Sequence, residues 1–346
     1  MIQFQCDYNE GAHPLIIKRL TETNMEQTVG YGEDPHCEEA RRLIKQACQS
    51  DNADVHFLVG GTQANTTVIA HILRPYQGVL AATSGHINVH ETGAIESTGH
   101  KVLAIPTEDG KLTAKQIDEA MQAHIHEDGP EHMVQPGMVY LSFPTEIGTI
   151  YSHDELKAIR TVCNKYDLPL FVDGARLGYG LCSPECDLTL PQLAQLADVF
   201  YIGGTKVGAM FGEAVVISNP AIAEDFRYLI KQHGAMLAKG WLLGLQFEAL
   251  FENDLYYSIS SYAVSLADQI RNTLDELHYP LLVKGYSNQI FPVLPINILD
   301  ELSKNFTFIE QAVIDAEHKA IRLCTSWATT QGAVDALCEE LRRLSQ

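Results

Sequence analysis

The sequence predicts an α/β fold in which helices cover both faces of a mostly parallel central sheet, followed by a small α+β domain. Short apolar, β-branched runs alternate with helix patterns between residues 55 and 217, as in parallel sheets with helical connections. The chain has 346 residues, of which 46% are hydrophobic, so it can bury a large core. This length favours two domains. We expect residues 1–252 to form an N-terminal segment and the large domain, and residues 253–346 to form the small domain.

Two helices are predicted before the sheet begins. The first covers residues 14–24. The second covers residues 35–48, because Asp34 is a suitable N-cap and Pro35 fits the first helical position.

Seven strands are predicted in the large domain, each of them an apolar run bounded by turn signals. In chain order they cover residues 55–59, 79–83, 101–105, 138–143, 169–173, 199–202 and 212–217. Helices that end near residues 73, 96, 127, 166 and 197 separate these strands. The fourth of these helices begins with Ser152-His-Asp-Glu155, a capping box that satisfies free backbone N–H groups.

The last third of the chain is predicted to be mainly helical, with a small sheet. Residues 226–252 have a helix pattern that contains three glycines, and a long helix is expected at 256–277. The small domain is predicted to contain strands at 281–283, 289–298 and 320–325 and a closing helix at 330–344.

Charge and cysteine usage exclude several classes of protein. The formal net charge is −20, which opposes binding to nucleic acid or to an anionic membrane. We see no apolar run of about 20 residues and no signal-peptide pattern, and we expect a cytoplasmic protein. The eight cysteines are scattered. Cys182 and Cys186 are the closest pair and lack a second pair, so no metal site is predicted.

Lys206 has an unusual setting. It follows the buried strand that ends at Ile202 and the turn Gly203-Gly204-Thr205. A lysine that is partly desolvated there would have a lowered pKa and a nucleophilic amine. The alternative is an ordinary surface lysine on a loop.

A second strand brings an acid to the same edge of the sheet. The strand at 169–173 ends in Asp173, and Gly174-Ala175-Arg176 follows. The carboxyl ends of parallel strands meet at one edge, so Asp173, Arg176 and Lys206 should lie together. An acid, a guanidinium and an amine in this arrangement suit pyridoxal phosphate (PLP). The carboxylate keeps the pyridine nitrogen protonated and the lysine binds the aldehyde.

The motifs Val172-Asp-Gly-Ala-Arg176 and Gly203-Gly-Thr-Lys206 closely resemble those of the threonine aldolases and the β-eliminating lyases grouped with them. These enzymes have the aspartate-aminotransferase-like fold, fold type I of the PLP enzymes. The resemblance implies PLP as the cofactor, with Lys206 as its covalent attachment point. It also implies that Asp173 holds the ring nitrogen and that Thr205 contributes to cofactor binding.

The resemblance extends to the phosphate and ring positions of the cofactor. Around Gly61-Thr62 a strand, a glycine turn and a helix N-terminus follow one another, which is typical of an anion-binding site. The alternative is an ordinary turn. Their match to the family assigns Gly61 and Thr62 to the phosphate. His86 occupies the family's ring-stacking position, with Glu91 five residues on, and it could also move protons. Alternatively, His86 is a hydrogen-bonded core histidine.

One position departs from the pattern of many threonine aldolases. Glu146 stands where these enzymes carry a histidine that is a candidate base. The run Thr145-Glu-Ile-Gly-Thr149 is similar to that of a phenylserine-aldolase-like subgroup. Glu146 is therefore a candidate base, and the alternative is that it holds a water or a neighbouring loop.

The resemblance also implies the substrate-binding residues. Arg176 and Arg322 would bind the α-carboxylate, although Arg322 could instead form an internal salt bridge. Cys6 stands where the family commonly has a serine, and Tyr31 belongs to a Tyr-Gly-acid-Asp stretch that reaches an active site. In fold relatives a basic residue of the partner subunit meets the phosphate. Here Lys231 or Lys239 could do so, and either could equally be a solvated lysine.

These features together imply a PLP-dependent lyase that cleaves β-hydroxy-α-amino acids, such as threonine, allo-threonine or phenylserine, to glycine and an aldehyde. The alternatives are β-elimination to a keto acid and ammonia, transamination, and cofactor binding without catalysis. The expected partners are a small amino-acid substrate and further copies of the chain. A homodimer or homotetramer with active sites at the subunit interface is expected.

Overall fold

The computed structural model describes residues 1–345 and contains a large α/β part and a smaller C-terminal part. The strands are β1 (Ile2–Gln3), β2 (Asp54–Leu58), β3 (Gln77–Ala82), β4 (Lys101–Ile105), β5 (Gln135–Ser142), β6 (Leu170–Asp173), β7 (Val199–Gly203), β8 (Glu213–Ile217), β9 (Gln289–Ile290), β10 (Val293–Pro295), β11 (Phe306–Thr307), β12 (Ile309–Val313) and β13 (His318–Cys324). The helices are α1 (Pro14–Thr23), α2 (Pro35–Cys48), α3 (Gly61–Ile72), α4 (His86–Val89), α5 (Ala94–Ser97), α6 (Ala114–Ile125), α7 (His153–Lys165), α8 (Leu177–Leu181), α9 (Leu190–Leu196), α10 (Pro220–Ala223), α11 (Phe226–Gln232), α12 (Trp241–Phe251), α13 (Leu255–Glu276), α14 (Ile296–Leu302) and α15 (Gln331–Leu344). Short 3-10 turns occur at Pro130–His132 and Glu252–Asp254.

The central sheet has seven strands in the order β2-β8-β7-β6-β5-β3-β4. The neighbours from β7 to β4 pair in parallel, and β8 runs antiparallel to both β2 and β7. The carboxyl ends of β5, β6 and β7 therefore lie at one edge, where ligands bind in open α/β sheets. The predicted α/β class and mostly parallel sheet are confirmed.

Helices cover both faces of this sheet because each strand buries alternate residues on opposite sides. In β7, Phe200 and Ile202 pack into a core that includes α2, α7 and α12. Val199 and Tyr201 of the same strand pack into a second core with α3 and α11.

The smaller part is built around β13, which pairs antiparallel with β9, β10 and β12. A third core packs α15 and the second half of α13 against this sheet. Strand β1 pairs in parallel with β11, and Phe4 lies in the same core. The first residues of the chain thus pack on the smaller part rather than on the central sheet. The predicted division at residue 252 stays a prediction.

Three predictions for the last third of the chain were wrong. The helix pattern at 226–252 is two helices, α11 and α12. Gly234 follows α11 with φ of +69°, a left-handed conformation that terminates a helix. The strand predicted at 289–298 is two short strands followed by α14, and 281–283 contains only a single bridge at Leu281. Within residues 1–345, none of the helices has the length and apolar character needed to cross a membrane.

Candidate active site

A cavity of about 330 Å³ opens at the carboxyl ends of β5, β6 and β7. Its wall combines the turns after these strands with the N-terminus of α3 and the start of β8. The lining residues are Tyr8, Val59, Gly60, Gly61, Thr62, His86, Ser142, Pro144, Glu146, Asp173, Ala175, Arg176, Tyr201, Thr205, Lys206 and Glu213.

Asp173, the last residue of β6, is buried at the base of the cavity. Its carboxylate accepts hydrogen bonds from the hydroxyl of Tyr140 at 2.5 Å, the amide of Asn65 at 3.1 Å and the hydroxyl of Tyr201. Burial alone would raise the pKa of Asp173. The nearby His86 and these hydrogen bonds outweigh burial and hold the pKa below its ordinary value, so the group is ionised.

Lys206 follows the glycine turn after β7, and within residues 1–345 it is the cavity's one lining lysine. Its backbone carbonyl accepts a hydrogen bond from the Tyr179 hydroxyl at 2.6 Å, which fixes the base of the side chain. Burial and the guanidinium of Arg176 lower the pKa of Lys206, although Asp7 and Asp173 oppose the shift. A lowered pKa makes the neutral, nucleophilic amine more available.

The turn before Lys206 is held by hydrogen bonds to the side chain of Glu213, the first residue of β8. The Glu213 carboxyl group accepts hydrogen bonds from the Gly204 N–H at 3.1 Å and the Thr205 hydroxyl at 2.9 Å. Burial raises the pKa of Glu213 to about 8.

The turn after β2 leads directly into the N-terminus of α3. Gly60 is the N-cap and supplies no side-chain cap, so free N–H groups at Gly61 and Thr62 are available to an anion. A Cβ on Gly61 would lie 2.9 Å from the hydroxyl oxygen of Tyr201. Glycine at this position lets the turn approach the cavity wall closely.

His86 is the first residue of α4 and is oriented by a buried acid. Its Nδ1 lies 2.7 Å from Oε1 of Glu91, and the same oxygen accepts a hydrogen bond from Asn65 at 2.7 Å. Burial by itself would lower the pKa of His86, but Glu91 and Asp173 outweigh it and raise the pKa. Asn65 thus links the carboxylates of Asp173 and Glu91.

Glu146 lies on the turn after β5 and faces the same space. Its carboxylate accepts hydrogen bonds from the Ser142 hydroxyl at 2.5 Å and the backbone N–H of His86 at 2.7 Å. Burial raises the pKa of Glu146 above its ordinary value. A carboxylate with a raised pKa is a stronger base, so this position is suited to accept a proton.

Arg176 is held by a carboxylate from the start of the chain. Its Nε and Nη2 donate to the two oxygens of Asp7 at 2.7 and 2.9 Å, a bidentate pair. Asn288 donates to Asp7 at 2.8 Å. Burial would raise the pKa of Asp7, but Arg176 and these hydrogen bonds lower it, so the pair is ionised.

Arg322 and Cys6 lie beside the cavity and outside its wall. Arg322, on β13, donates to the carbonyl of Gln5 at 3.1 Å, while its buried Nε has no partner among residues 1–345. The Cys6 thiol donates to Asn9 at 3.0 Å. Tyr8 does line the cavity, and Cys6 and Arg322 lie near enough to Tyr8 to act on the pKa of its hydroxyl group.

Tyr31 lies apart from the cavity of its own chain. It is 48% exposed, with φ of +64°, and its carbonyl accepts a hydrogen bond from Arg227 at 3.3 Å. The Lys231 ammonium lies 5.1 Å from the centre of the Tyr31 ring. Lys239 is also exposed. These residues form a basic, aromatic surface, and the structure does not bring them to the wall that contains Lys206.

The structure therefore gathers eight of the residues predicted from the sequence into one cavity. These are Gly61, Thr62, His86, Glu146, Asp173, Arg176, Thr205 and Lys206. Their individual roles remain predictions.

Sequence reasoning missed several residues of the same site. Asp7 was not predicted as a site residue, and its pairing with Arg176 joins positions 169 residues apart, which no local pattern shows. Glu213 did leave a signal, because it is a lone acid at the start of an apolar run. Tyr140, Ser142 and Tyr201 lie in apolar strands, where their side chains look like ordinary core residues.

The residues of the cavity fit PLP. The ionised Asp173 suits a protonated ring nitrogen, the N-terminus of α3 suits a phosphate, and Lys206 supplies an amine in the same cavity. Among residues 1–345, no group of three or more His, Cys, Asp or Glu side chains is arranged to hold a metal ion.

Comparisons with known proteins show the family of this chain. A family model described as β-eliminating lyase matches residues 8–324. A solved structure of threonine aldolase from Leishmania major is 44% identical, with a TM-score of 0.97 and 100% of each chain covered.

More distant matches extend these similarities. Low specificity L-threonine aldolase of Pseudomonas aeruginosa is 29% identical, covering 98% of this chain and 97% of its own. Aspartate aminotransferase of Thermus thermophilus shares the fold, with a TM-score of 0.73 at 13% identity, covering 99% of this chain and 91% of its own. The predicted fold type I is confirmed.

Proposed function

Since this chain belongs to the β-eliminating lyase family, and within it to the threonine aldolases, we propose that it cleaves β-hydroxy-α-amino acids to glycine and an aldehyde with PLP as its cofactor. The observation that carries the proposal is that Asp173, Lys206 and Glu146 line the same cavity. These three groups supply a countercharge for a ring nitrogen, an attachment point and a base. The 44% identity over the whole chain supports the same activity.

Four residues would hold the cofactor. Lys206 binds the aldehyde through its amine, and the carboxylate of Asp173 keeps the ring nitrogen protonated. Gly61 and Thr62 donate N–H groups to the phosphate. When bound, PLP supplies an electron sink that accepts the electron pair of the breaking Cα–Cβ bond.

Two arginines would orient the substrate. Arg176, fixed by the bidentate contact with Asp7, and Arg322, with its unpartnered Nε, bind the α-carboxylate. Glu146 and His86 line the same cavity and are the groups available to the β-hydroxyl proton.

The β-hydroxyl proton needs an acceptor before the carbon–carbon bond can break. Glu146 takes this proton as a carboxylate. The Ser142 hydroxyl and the backbone N–H of His86 hold the carboxylate in place. His86, oriented by Glu91, is the second candidate for this step. Threonine, allo-threonine and phenylserine all present a hydroxyl at the required position.

A product assay with purified protein tests the proposal. Threonine, allo-threonine and phenylserine should each yield glycine and the matching aldehyde in equal amounts. Keto acid and ammonia as the main products, with no glycine, would show β-elimination instead. Glycine should also exchange its α-proton in deuterated water.

We further propose that the active enzyme is a homodimer or homotetramer in the cytoplasm. The surface formed by Tyr31, Lys231 and Lys239 is exposed and lies apart from the cavity of its own chain, so it could complete the phosphate site of a partner subunit. All eight cysteines are free and most are buried, which suits a reducing compartment. Light scattering after size exclusion measures the oligomer, and a monomer would contradict this proposal.

A further inference from the structure

Glu213 stands between the two parts of the cavity that would bind the cofactor. In the central sheet it pairs with Leu58 of β2 on one side and Gly203 of β7 on the other. The chain after Leu58 runs into Gly61 at the start of α3, and the chain after Gly203 runs into Lys206. Glu213 therefore begins the strand that lies between β2 and β7, and it lines the cavity together with the phosphate turn and the lysine turn.

The direct contacts of Glu213 include no ion pair. Both carboxyl oxygens accept hydrogen bonds from neutral donors on the lysine turn, Gly204 and Thr205. Among residues 1–345, no Lys, Arg or His nitrogen lies within 4.0 Å of its carboxyl group. The titratable groups around it are Lys206, Asp173, Tyr201 and Tyr256.

A charged Glu213 would oppose the binding of a phosphate in this cavity. The cofactor phosphate carries close to two negative charges at neutral pH, and a carboxylate in the same buried space would repel it strongly. A protonated carboxyl group has no charge and offers an O–H donor. Because burial raises the pKa of Glu213 to about 8, the protonated form predominates near neutral pH.

We propose that Glu213 is a cofactor-binding residue that acts as a neutral acid, donating its carboxyl hydrogen to the phosphate group. It also positions Lys206 through its contacts with the preceding turn. The inference rests on the proposed function, since it requires PLP in this cavity. It predicts that binding of the phosphate group depends on pH through Glu213, whereas binding of the aldehyde does not.

The test compares PLP with pyridoxal, which lacks the phosphate. Dissociation constants of both ligands are measured for the full chain by fluorescence titration at about pH 7 and about pH 9. Titration of Lys206 affects both ligands alike, so the ratio of the two constants isolates the phosphate contribution. We call the dissociation constant of pyridoxal divided by that of PLP the advantage of PLP. If phosphate binding requires neutral Glu213, this advantage falls about tenfold from about pH 7 to about pH 9, because Glu213 then remains protonated in only about one molecule in ten.

Two variants separate this effect from a general change in charge. In Glu213→Gln the side chain is neutral at every pH, so the advantage of PLP should not change between the two pH values. Glu185→Gln removes an exposed carboxylate whose oxygens have no hydrogen-bond partner among residues 1–345, and it should behave like the wild type. An equal loss of PLP advantage in Glu213→Gln and wild type would overturn the proposal.

The wild-type chain alone provides a second test should Glu213→Gln fail to fold. At about pH 9, binding of PLP should take up close to one proton more than binding of pyridoxal, measured by calorimetry in buffers of different ionisation enthalpy. Equal proton uptake for the two ligands would overturn the role of Glu213. Failure of PLP to bind at about pH 7 would instead refute the proposed function, and this inference with it.

Discussion

At the scale of single residues, the site depends on buried carboxylates whose surroundings set different protonation states. Asp173 is held ionised by three side-chain donors, whereas burial raises the pKa of Glu146 and Glu213. Lys206 and Asp173 could be predicted from the sequence because each follows an apolar run in a strand–turn pattern. Asp7 could not, because its partner Arg176 is brought to it only by the complete fold.

Asp173→Asn should keep the fold and lose activity. The amide has the shape of the carboxylate but no charge, so the ring nitrogen would no longer be held protonated. We expect cleavage to slow by at least about a hundredfold, comparable to the loss of one strong electrostatic stabiliser. Turnover rates and circular dichroism of both proteins check this, and near-normal turnover would exclude the role.

Glu146→Gln should slow aldol cleavage more than it slows α-proton exchange of glycine. Cleavage requires removal of the β-hydroxyl proton, and glycine has no hydroxyl. In the wild type the cleavage rate should rise with pH as Glu146 loses its proton, over a range above the ordinary glutamate pKa. The variant should lack this rise, and equal slowing of both reactions would assign Glu146 a supporting role instead.

At the scale of elements, turn and cap chemistry decides how much could be predicted. Helices with clear signals were predicted well: Asp34 caps α2 and Ser152 forms the predicted capping box of α7. The short strands of the smaller part were not, because two- and three-residue strands carry too little periodicity to distinguish them from loops. The positions of β9 and β10 depend on pairing with β13, and that of β11 depends on pairing with β1.

The packing of α12 on α2 offers a test of close helix contact. A Cβ on Gly244 would lie 2.5 Å from Sγ and 2.6 Å from Cα of Cys37, and backbone atoms cannot yield. Gly244→Ala should therefore lower the free energy of unfolding by about 1–3 kcal/mol. As a control, Gly332→Ala on α15 meets no atom within 4 Å and should raise it by up to about 1 kcal/mol. Urea unfolding measures both, and equal effects would contradict this packing argument.

At the scale of the whole molecule, the predicted site residue Tyr31 lies apart from the cavity of its own chain, whereas Arg322 and Cys6 lie beside the cavity. Tyr31 packs against Lys231 on an exposed surface, while Lys206 lies in the cavity. The sequence could suggest both positions from the family resemblance. It could not show that they are separate within one chain, because that separation is a property of the complete fold.

Subunit mixing tests whether active sites are shared between chains. Lys206→Ala should be inactive, and a chain with Tyr31→Ala and Lys231→Ala should be strongly impaired. If these residues act across the interface, random mixing of the two chains produces one intact site in each hybrid dimer. About a quarter of wild-type activity should return, since half of the dimers are hybrids with one active site of two. No recovery in purified hybrids would place both functions within one chain.

The most direct test of the site is the identification of the lysine that binds the cofactor. The purified protein is incubated with PLP, reduced with borohydride, digested and analysed by mass spectrometry. The modified peptide should contain Lys206, and Lys206→Ala should lose both the modification and the visible absorbance. Modification of another lysine, such as Lys231 or Lys239, or an unchanged signal in Lys206→Ala, would contradict the assignment of this cavity as the active site.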